Sequence, residues 1–373
     1  MIDSNELRTQ VAGKLSAAAA SVSKLRTFVG LDGFVDEIYH VVNTRADAEH
    51  WERLATITEF SNRIAGAAGR STNIELVRQL TKLGGNGPIM ANALASFGFQ
   101  TTYLGALGHP YVHPIFEPFQ QVADVHSIAD AGKTNALEFD DGKLMLSSTM
   151  ELNDVTWRNI EERYGRDRFA EQFYHSDLVA FVNWTMVPFM SDIWDVLLKD
   201  FCPPPAGPRR TIFFDLADPQ KRADEDILRA LKLITQFNEH FSVILGLNEK
   251  EAWEVSEALG VKTGERSQEE LERVTLELNK RIAVDTLVVH PVAFAVATSN
   301  GELATVKGPV ISKPKITTGA GDHFNSGFCL GKLLGFSNAE SVQTGVATSG
   351  FYVKNAISPT VTDLAHFLRN WPA

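Results

Sequence analysis

Four short apolar runs, spaced by stretches of helical character, constrain this chain more than any other feature. Leu178–Asn183, Thr211–Asp215, Ser242–Leu247 and Thr286–His290 each read as a strand, and the sequence between them reads as helix. Strands that alternate with helices pair in parallel, and a parallel sheet has both of its faces covered. A hairpin-like stretch, Phe294–Val306, follows the fourth run. The expected fold is α/β: a doubly wound, mostly parallel central sheet flanked by helices. Ligands of such sheets bind outside the C-terminal ends of the strands.

The N-terminal half supplies the rest. The first 25 residues have helical character, and Thr27–Leu31 and Thr101–Leu107 read as strands. Residues 46–82 read as helical, with a Gly/Ala/Ser break at 64–71. Gly84-Gly85-Asn86-Gly87-Pro88 is a turn that opens a helix over Ile89–Phe97, which Gly98 stops. A second β-like run covers Phe34–Val42, and residues 132–150 alternate around Asp141-Gly142, a hairpin signal. These two segments, about 33–44 and 132–150, predict a small β-sheet lid on a single domain spanning residues 1–373. Cys202–Pro208 reads as a stiff surface connection.

Composition removes several function classes. Lys and Arg total 35 against 46 Asp and Glu, a net charge of −11, and no basic tract exists to meet nucleic-acid phosphates. No apolar run approaches the ~20 residues needed to span a bilayer. Ala17–Ala20 is short, weakly apolar and preceded by Asp3 and Glu6, so it reads as helix and not as a signal peptide. The two cysteines, Cys202 and Cys329, lie far apart and read as free thiols of a cytoplasmic protein.

The stretch Ile316-Thr317-Thr318-Gly319-Ala320-Gly321-Asp322-His323-Phe324 carries the chemistry. Two glycines flanking an alanine make a tight turn, and a helix follows. Such a turn aims backbone N–H groups and the positive end of the helix dipole at one spot, where an anion binds. Phosphoryl transfer needs that stabilisation. Asp322 at the mouth of the turn could accept the proton of an attacking hydroxyl, or it could only cap the helix. His323 is a candidate second proton carrier.

TTGAGDHFNSGF resembles the C-terminal signature of the ribokinase-like (PfkB) carbohydrate kinases. Leu83-Gly84-Gly85-Asn86, with Ala91–Gly98 after it, resembles the N-terminal signature of that family. The resemblance implies an ATP-dependent sugar kinase, with Asp322 as base and Gly319, Ala320 and Gly321 completing an anion hole. It implies that Asp36, with Asp32 as a second candidate, binds sugar hydroxyls together with Gly85 and Asn86. Asn248-Glu249-Lys250-Glu251 is similar to the family's Asn-x-x-Glu element, which implies that Glu251 orders the water shell of Mg²⁺ and that Asn248 sits near the phosphates. The same two residues also have the spacing of a helix capping box. Thr318, Asn325 and Asn355 complete the implied nucleotide contacts. Asp218-Pro219-Gln220-Lys221-Arg222 resembles the family's Asp-Pro-x-x-Arg segment, which makes Arg222 a further candidate for substrate or phosphate.

The chain departs from the family pattern at Ile316, Ile89, His109 and His290-Pro291-Val292. The last stands where a Thr-x-Gly lines the nucleotide phosphates. The substrate class left open is a sugar or a nucleoside, and the exposed lid suggests a homodimer. A relative that binds without transferring phosphate is the alternative. A dinucleotide-binding oxidoreductase lacks its G-x-G-x-x-G after the first strand.

Overall fold

The short apolar runs form strands with no exposed position: every residue of Leu178–Phe181 and of Thr286–Val289 is buried. The structure, a computed structural model, describes residues 4–202 and 209–372. Residues 203–208 of the expected Cys202–Pro208 connection lie outside them. The strands, in chain order, are β1 (Arg26–Leu31), β2 (Phe34–Arg45), β3 (Trp51–Arg53), β4 (Leu76–Gly84), β5 (Gln100–Ala106), β6 (Asp124–Ala129), β7 (Gly132–Phe139), β8 (Gly142–Ser148), β9 (Leu178–Phe181), β10 (Arg210–Asp215), β11 (Phe241–Leu247), β12 (Thr286–Val289), β13 (Phe294–Ser299) and β14 (Glu302–Lys307).

Nine of them make one sheet in the order β14-β13-β12-β11-β10-β9-β1-β5-β6. From β6 to β12 every neighbouring pair is parallel. The hairpin β13–β14 closes one edge antiparallel. Successive side chains of a strand point to opposite faces, so the sheet feeds two cores. Val179 and Phe181 join Phe28, Ile212 and Phe214 on one face, while Leu178 and Ala180 join Val29, Phe213 and Ile244 on the other. Burying one such Leu or Phe contributes about 1.5–3 kcal/mol, which is why these runs carry no interior polar residue. From β1 the chain builds outward on one side through β5 and β6, and on the other from β9 onward. The strand order reverses between β1 and β9, where a doubly wound sheet opens a crevice.

A second, five-stranded sheet stands apart. β2 lies at its centre, parallel to β7 and antiparallel to β3 and β4, and β8 pairs with β7. β2, β7 and β8 fall where residues 33–44 and 132–150 were expected to be β. Residues 46–82 differ from expectation: only Ile57–Gly66 is an α-helix, Trp51–Arg53 is β3 and Leu76–Gly84 is β4. Leu76, Leu80 and Leu83 have helical spacing, yet Leu76 and Leu80 are exposed and β4 exists because it pairs with β2 over eight positions. Long-range pairing overrides the local pattern there.

The N-terminal helix Ser4–Val22 packs on the C-terminal helix Val361–Arg369, within the second core. Among the described residues no helix is long and apolar enough to cross a membrane.

Candidate active site

The glycine turn is built as its residues require. Gly319 has φ 93°, a left-handed conformation that favours glycine. A Cβ there would come within 3.3 Å of Ile89 and of the Tyr352 hydroxyl. Gly319 is the N-cap of the helix Ala320–Leu333, and no side chain caps that end. Ala320 N donates to the Thr317 carbonyl at 3.1 Å, which leaves the Gly321 and Asp322 N–H groups of the first turn to another acceptor. Asp322 lies in the first turn and is not the cap. Its Oδ1 accepts a hydrogen bond from Asn86 Nδ2 at 3.0 Å. Burial, with the nearby Asp32 charge adding to it, pushes the Asp322 carboxyl up to about 8.

Asp32 follows β1 and is fully buried. Its Oδ2 accepts from Asn86 N at 2.9 Å and Asn183 Nδ2 at 2.6 Å, and its Oδ1 accepts from Gly87 N at 2.8 Å. Burial still holds its carboxyl up at about 6. These donors occupy the carboxylate from inside, so Asp32 anchors the 85–87 turn, and it does not line the cavity that Asp36 faces. The glycines of the turn answer to the two aspartates. A Cβ on Gly87 would meet Asp32 Oδ1 at 2.5 Å, and one on Gly84 would meet the Asp36 carboxylate at 2.3 Å.

Asp36, on β2, does face a cleft. This cavity, of about 640 Å³, is walled by Gly85, Asn86, Thr318, Gly319 and Asp322 from the main body and by Phe34, Asp36, Thr134, Met145 and Ser147 from the second sheet. Burial raises the Asp36 carboxyl, and the Lys82 ammonium 3.9 Å away opposes that. A neighbouring cavity of about 470 Å³ is walled by Asn248, His290, Ile311, Thr317, Ala320 and Gly321, with Val346 and Gly350 among others. The Gly319–Asp322 turn is thus the shared wall: Gly319 and Asp322 line the first cavity, Ala320 and Gly321 the second.

Beneath the turn lies an acidic floor. Glu251 Oε2 accepts from Asn248 N and its Oε1 from Asp218 N, each at 2.9 Å. Asn248 and Glu251 form a full capping box, and yet both also line the cavities. Burial raises Glu251 and raises Asp215 well above the carboxylate range, with Glu251 and Asp322 adding to the effect on Asp215. Ala217 and Asp218 are consecutive non-glycine residues at φ 56° and 63° beside the first cavity. Such left-handed backbone costs of order 1–3 kcal/mol per residue and clusters at working sites.

Several sequence-based candidates fall elsewhere. Asn325 is buried, and its Nδ2 donates to Asp215 Oδ2 at 3.1 Å inside the protein. Asn355 donates to the Phe351 carbonyl at 2.9 Å at the end of its helix and lines neither cavity. Arg222 lies over the Trp184 ring, 4.6 Å from its centroid, and pairs with Asp226. His323 turns inward: it stacks on Tyr352 with ring centroids 3.6 Å apart, and its nitrogens meet the Gly319 carbonyl and Ser358 Oγ. Thr318 lines the first cavity and accepts Tyr352 Oη–H at its carbonyl, 3.1 Å. Sequence reasoning missed Asn183, Thr134, Met145 and Ser147, all at the first cavity. A lone Asn after a strand carries no spacing signal, and the other three were read only as part of a hairpin.

A sequence model of the prokaryotic ketohexokinase family matches residues 4–371. A ketohexokinase from Haloferax volcanii is 29% identical over 344 residues, covering 92% of this chain and 90% of that protein. Among solved structures, a ribokinase from Thermotoga maritima superposes with a TM-score of 0.63 at 16% identity, over 93% of this chain and 99% of that one. A ribokinase from Arabidopsis thaliana, complexed with ribose and ATP, gives 0.61 at 16% identity, over 92% and 98%. At such identities the structures speak for the fold, and they agree on the ribokinase fold. The sequence match extends over nearly the whole described chain, so this chain belongs to the prokaryotic ketohexokinase family of sugar kinases.

Proposed function

We propose that this chain transfers the γ-phosphoryl group of ATP to a hydroxyl of a ketohexose, with Asp322 as the base. The observation that carries the reading is the Gly319–Asp322 turn, which forms the common wall of two cavities. The sugar occupies the cavity under the second sheet, and the nucleotide the one beside His290 and Gly350. Asp36, Gly85 and Asn86 hold sugar oxygens. Asn86, which donates to Asp322 Oδ1, orients the carboxylate toward the hydroxyl it deprotonates. The uncapped helix N-terminus receives the transferring phosphoryl group, whose equatorial oxygens carry the charge.

The acidic floor fits Mg²⁺. This ion keeps several waters and takes few direct protein ligands. Among the described residues no cluster of three or more His, Cys, Asp or Glu side chains is set to ligate a metal directly. Asp215 Oδ1 is buried without a partner, and the mutually repelling carboxylates of Asp215 and Glu251 would hold a hydrated cation. When bound, the ion supplies the positive charge that phosphoryl transfer requires.

One ribokinase-like unit carries the second sheet as a lid, which closes over the sugar and excludes water. Leu80 and Leu146 on that sheet are each 54% exposed, which favours pairing of two lids in a homodimer. The free thiols of Cys202 and Cys329 suit a reducing cytoplasm.

The test is a coupled ADP-release assay with Mg-ATP against ketohexoses, pentoses, sugar acids and nucleosides. Turnover on a ketohexose, lost in Asp322→Asn, is expected. ATP binding with no turnover on any alcohol would overturn the kinase mechanism in favour of a binding protein.

A further inference from the structure

His323 is buried behind the phosphoryl turn, next in sequence to Asp322. Its ring lies flat on that of Tyr352, with centroids 3.6 Å and planes 12° apart. The two rings hold consecutive carbonyls of the turn. Tyr352 Oη donates to the Thr318 carbonyl at 3.1 Å, and His323 Nδ1 lies 2.7 Å from the Gly319 carbonyl. That second carbonyl also accepts the His323 backbone N–H at 3.1 Å, so one residue meets it twice. A carbonyl only accepts, so Nδ1 carries the proton and Nε2 accepts from the Ser358 hydroxyl, 2.9 Å away. Burial pushes the imidazole down to about 4, which keeps it in this neutral form. Ser358 Oγ in turn accepts from Asn92 Nδ2 at 3.2 Å, and the Ser358 carbonyl accepts from Ser96 Oγ at 3.1 Å. Asn92 and Ser96 stand one turn apart on the helix Asn86–Phe97, whose first residue donates to Asp322. That helix therefore grips the phosphoryl turn twice: through Asn86 at Asp322, and through Asn92, Ser358 and His323 at Gly319.

We infer that His323 is a positioning residue for phosphoryl transfer: by donating from Nδ1 to the Gly319 carbonyl, it sets the turn so that the free N–H groups of Gly321 and Asp322 meet the transferring group. This rests on the phosphotransfer reading above. A peptide unit is planar, so fixing a carbonyl fixes the N–H on its opposite edge. The Thr318 and Gly319 carbonyls are fixed in succession, and the Ala320 N–H that shares a plane with the second is spent on Thr317. The next two N–H groups, of Gly321 and Asp322, follow directly from that fixed plane. Donors aimed before the charge develops stabilise it without reorganisation. Glycine is the residue least able to hold its own backbone in one conformation, and Gly319, at φ 93°, is the residue on which the turn pivots. The imidazole supplies the restraint that the glycine lacks.

The experiment compares wild type, His323→Leu, His323→Asn and His323→Gln in steady-state kinetics with Mg-ATP and fructose, after melting curves of each. Leucine keeps most of the ring's volume and loses the donor. Asparagine loses more volume but places its Nδ2 where the histidine Nδ1 was. His323→Leu should lower kcat by roughly tenfold or more, as a small misplacement of reacting groups does, with both KM values within about twofold of wild type. His323→Asn should keep kcat within about threefold of wild type. A packing role predicts the reverse order, and that order, or an equal kcat in the two variants, overturns the inference. Nitrate, planar like a metaphosphate-like transferring group, supplies a second readout as an inhibitor in the presence of MgADP and fructose. Its inhibition constant should rise severalfold in His323→Leu and return toward wild type in His323→Asn; a constant unchanged in His323→Leu overturns the inference. If His323→Leu does not fold, His323→Gln decides, because its amide nitrogen reaches toward Ser358 and not toward Gly319: its kcat should fall well below that of His323→Asn, and an equal kcat overturns the inference. Wild type that binds ATP and phosphorylates no alcohol overturns the phosphotransfer reading, and this inference with it, whereas an active wild type with the wrong order of variants overturns this inference alone.

Discussion

Replacing Asp322 by Asn should stabilise the ligand-free protein while abolishing its turnover, and the gain should grow with pH. The Asp322 carboxyl ionises at about 8 in the folded chain against an ordinary 3.8, chiefly because it is buried. The folded state therefore binds this proton more tightly than the unfolded state. The associated stability is fully present below 3.8, falls as pH rises, and is lost once pH passes about 8. Each pH unit in that window costs ~1.4 kcal/mol, which sets a ceiling of about 6 kcal/mol at pH 9, with about 4 already lost at pH 7. Relaxation and water entry lower that ceiling, as they do for other buried charges. A net gain of roughly 2–6 kcal/mol is thus expected for the variant at pH 9. With an unfolding entropy of ~2.1 cal/mol/K per residue, that raises Tm by about 3–8 °C. Asparagine retains an oxygen to accept the Asn86 Nδ2 hydrogen bond, now 3.0 Å, so the change isolates the charge. The assay is circular-dichroism melting of both proteins at pH 5, 7 and 9 without nucleotide or metal, beside ADP release at pH 7. A Tm difference that is the same at all three pH values would refute the argument that burial holds a proton on Asp322. Turnover near the wild-type rate would refute its role as base.

Two further outcomes test the walls around it. Gly87→Ala places a Cβ 2.5 Å from Asp32 Oδ1 and 2.6 Å from the Tyr103 hydroxyl. It should cost about 2–4 kcal/mol, seen in chemical denaturation, and raise the sugar KM through the displaced Asn86. The His290 ring stacks on Phe324 with centroids 4.7 Å apart, and its Cε1 lies 3.2 Å from where a Gly321 Cβ would be. His290→Ala should raise the ATP KM severalfold and leave the sugar KM within twofold, which steady-state kinetics with each substrate varied will show.

The parts of this protein legible in its sequence are those whose chemistry is local. The Gly319–Asp322 turn, the Gly84–Gly87 turn and the Asn248–Glu251 pair each announce themselves within a few residues, because tight turns and helix starts demand particular residue types. The buried strands were equally plain, since a parallel sheet covered on both faces must be written in continuous apolar runs. What failed to show is whatever depends on pairing between distant segments. β4 was hidden by helically spaced leucines, and with it the register that sets Lys82 opposite Asp36. Asp36, with Asp32 as a second candidate, stands in the sequence as one of two acids after one strand. Burial separates them, because three donors close around Asp32 whereas Asp36 keeps a face toward the cleft. Asn325 and Asn355 were placed by resemblance of position, and their amides are spent on Asp215 and on a helix carbonyl. The contact that best defines the site joins Asn86 to Asp322 across 236 positions. Each end sits on a turn that reads clearly alone, but only the parallel sheet, by gathering the C-terminal ends of β1, β9, β10 and β11 at one crevice, makes an anion turn and a sugar turn into a single site.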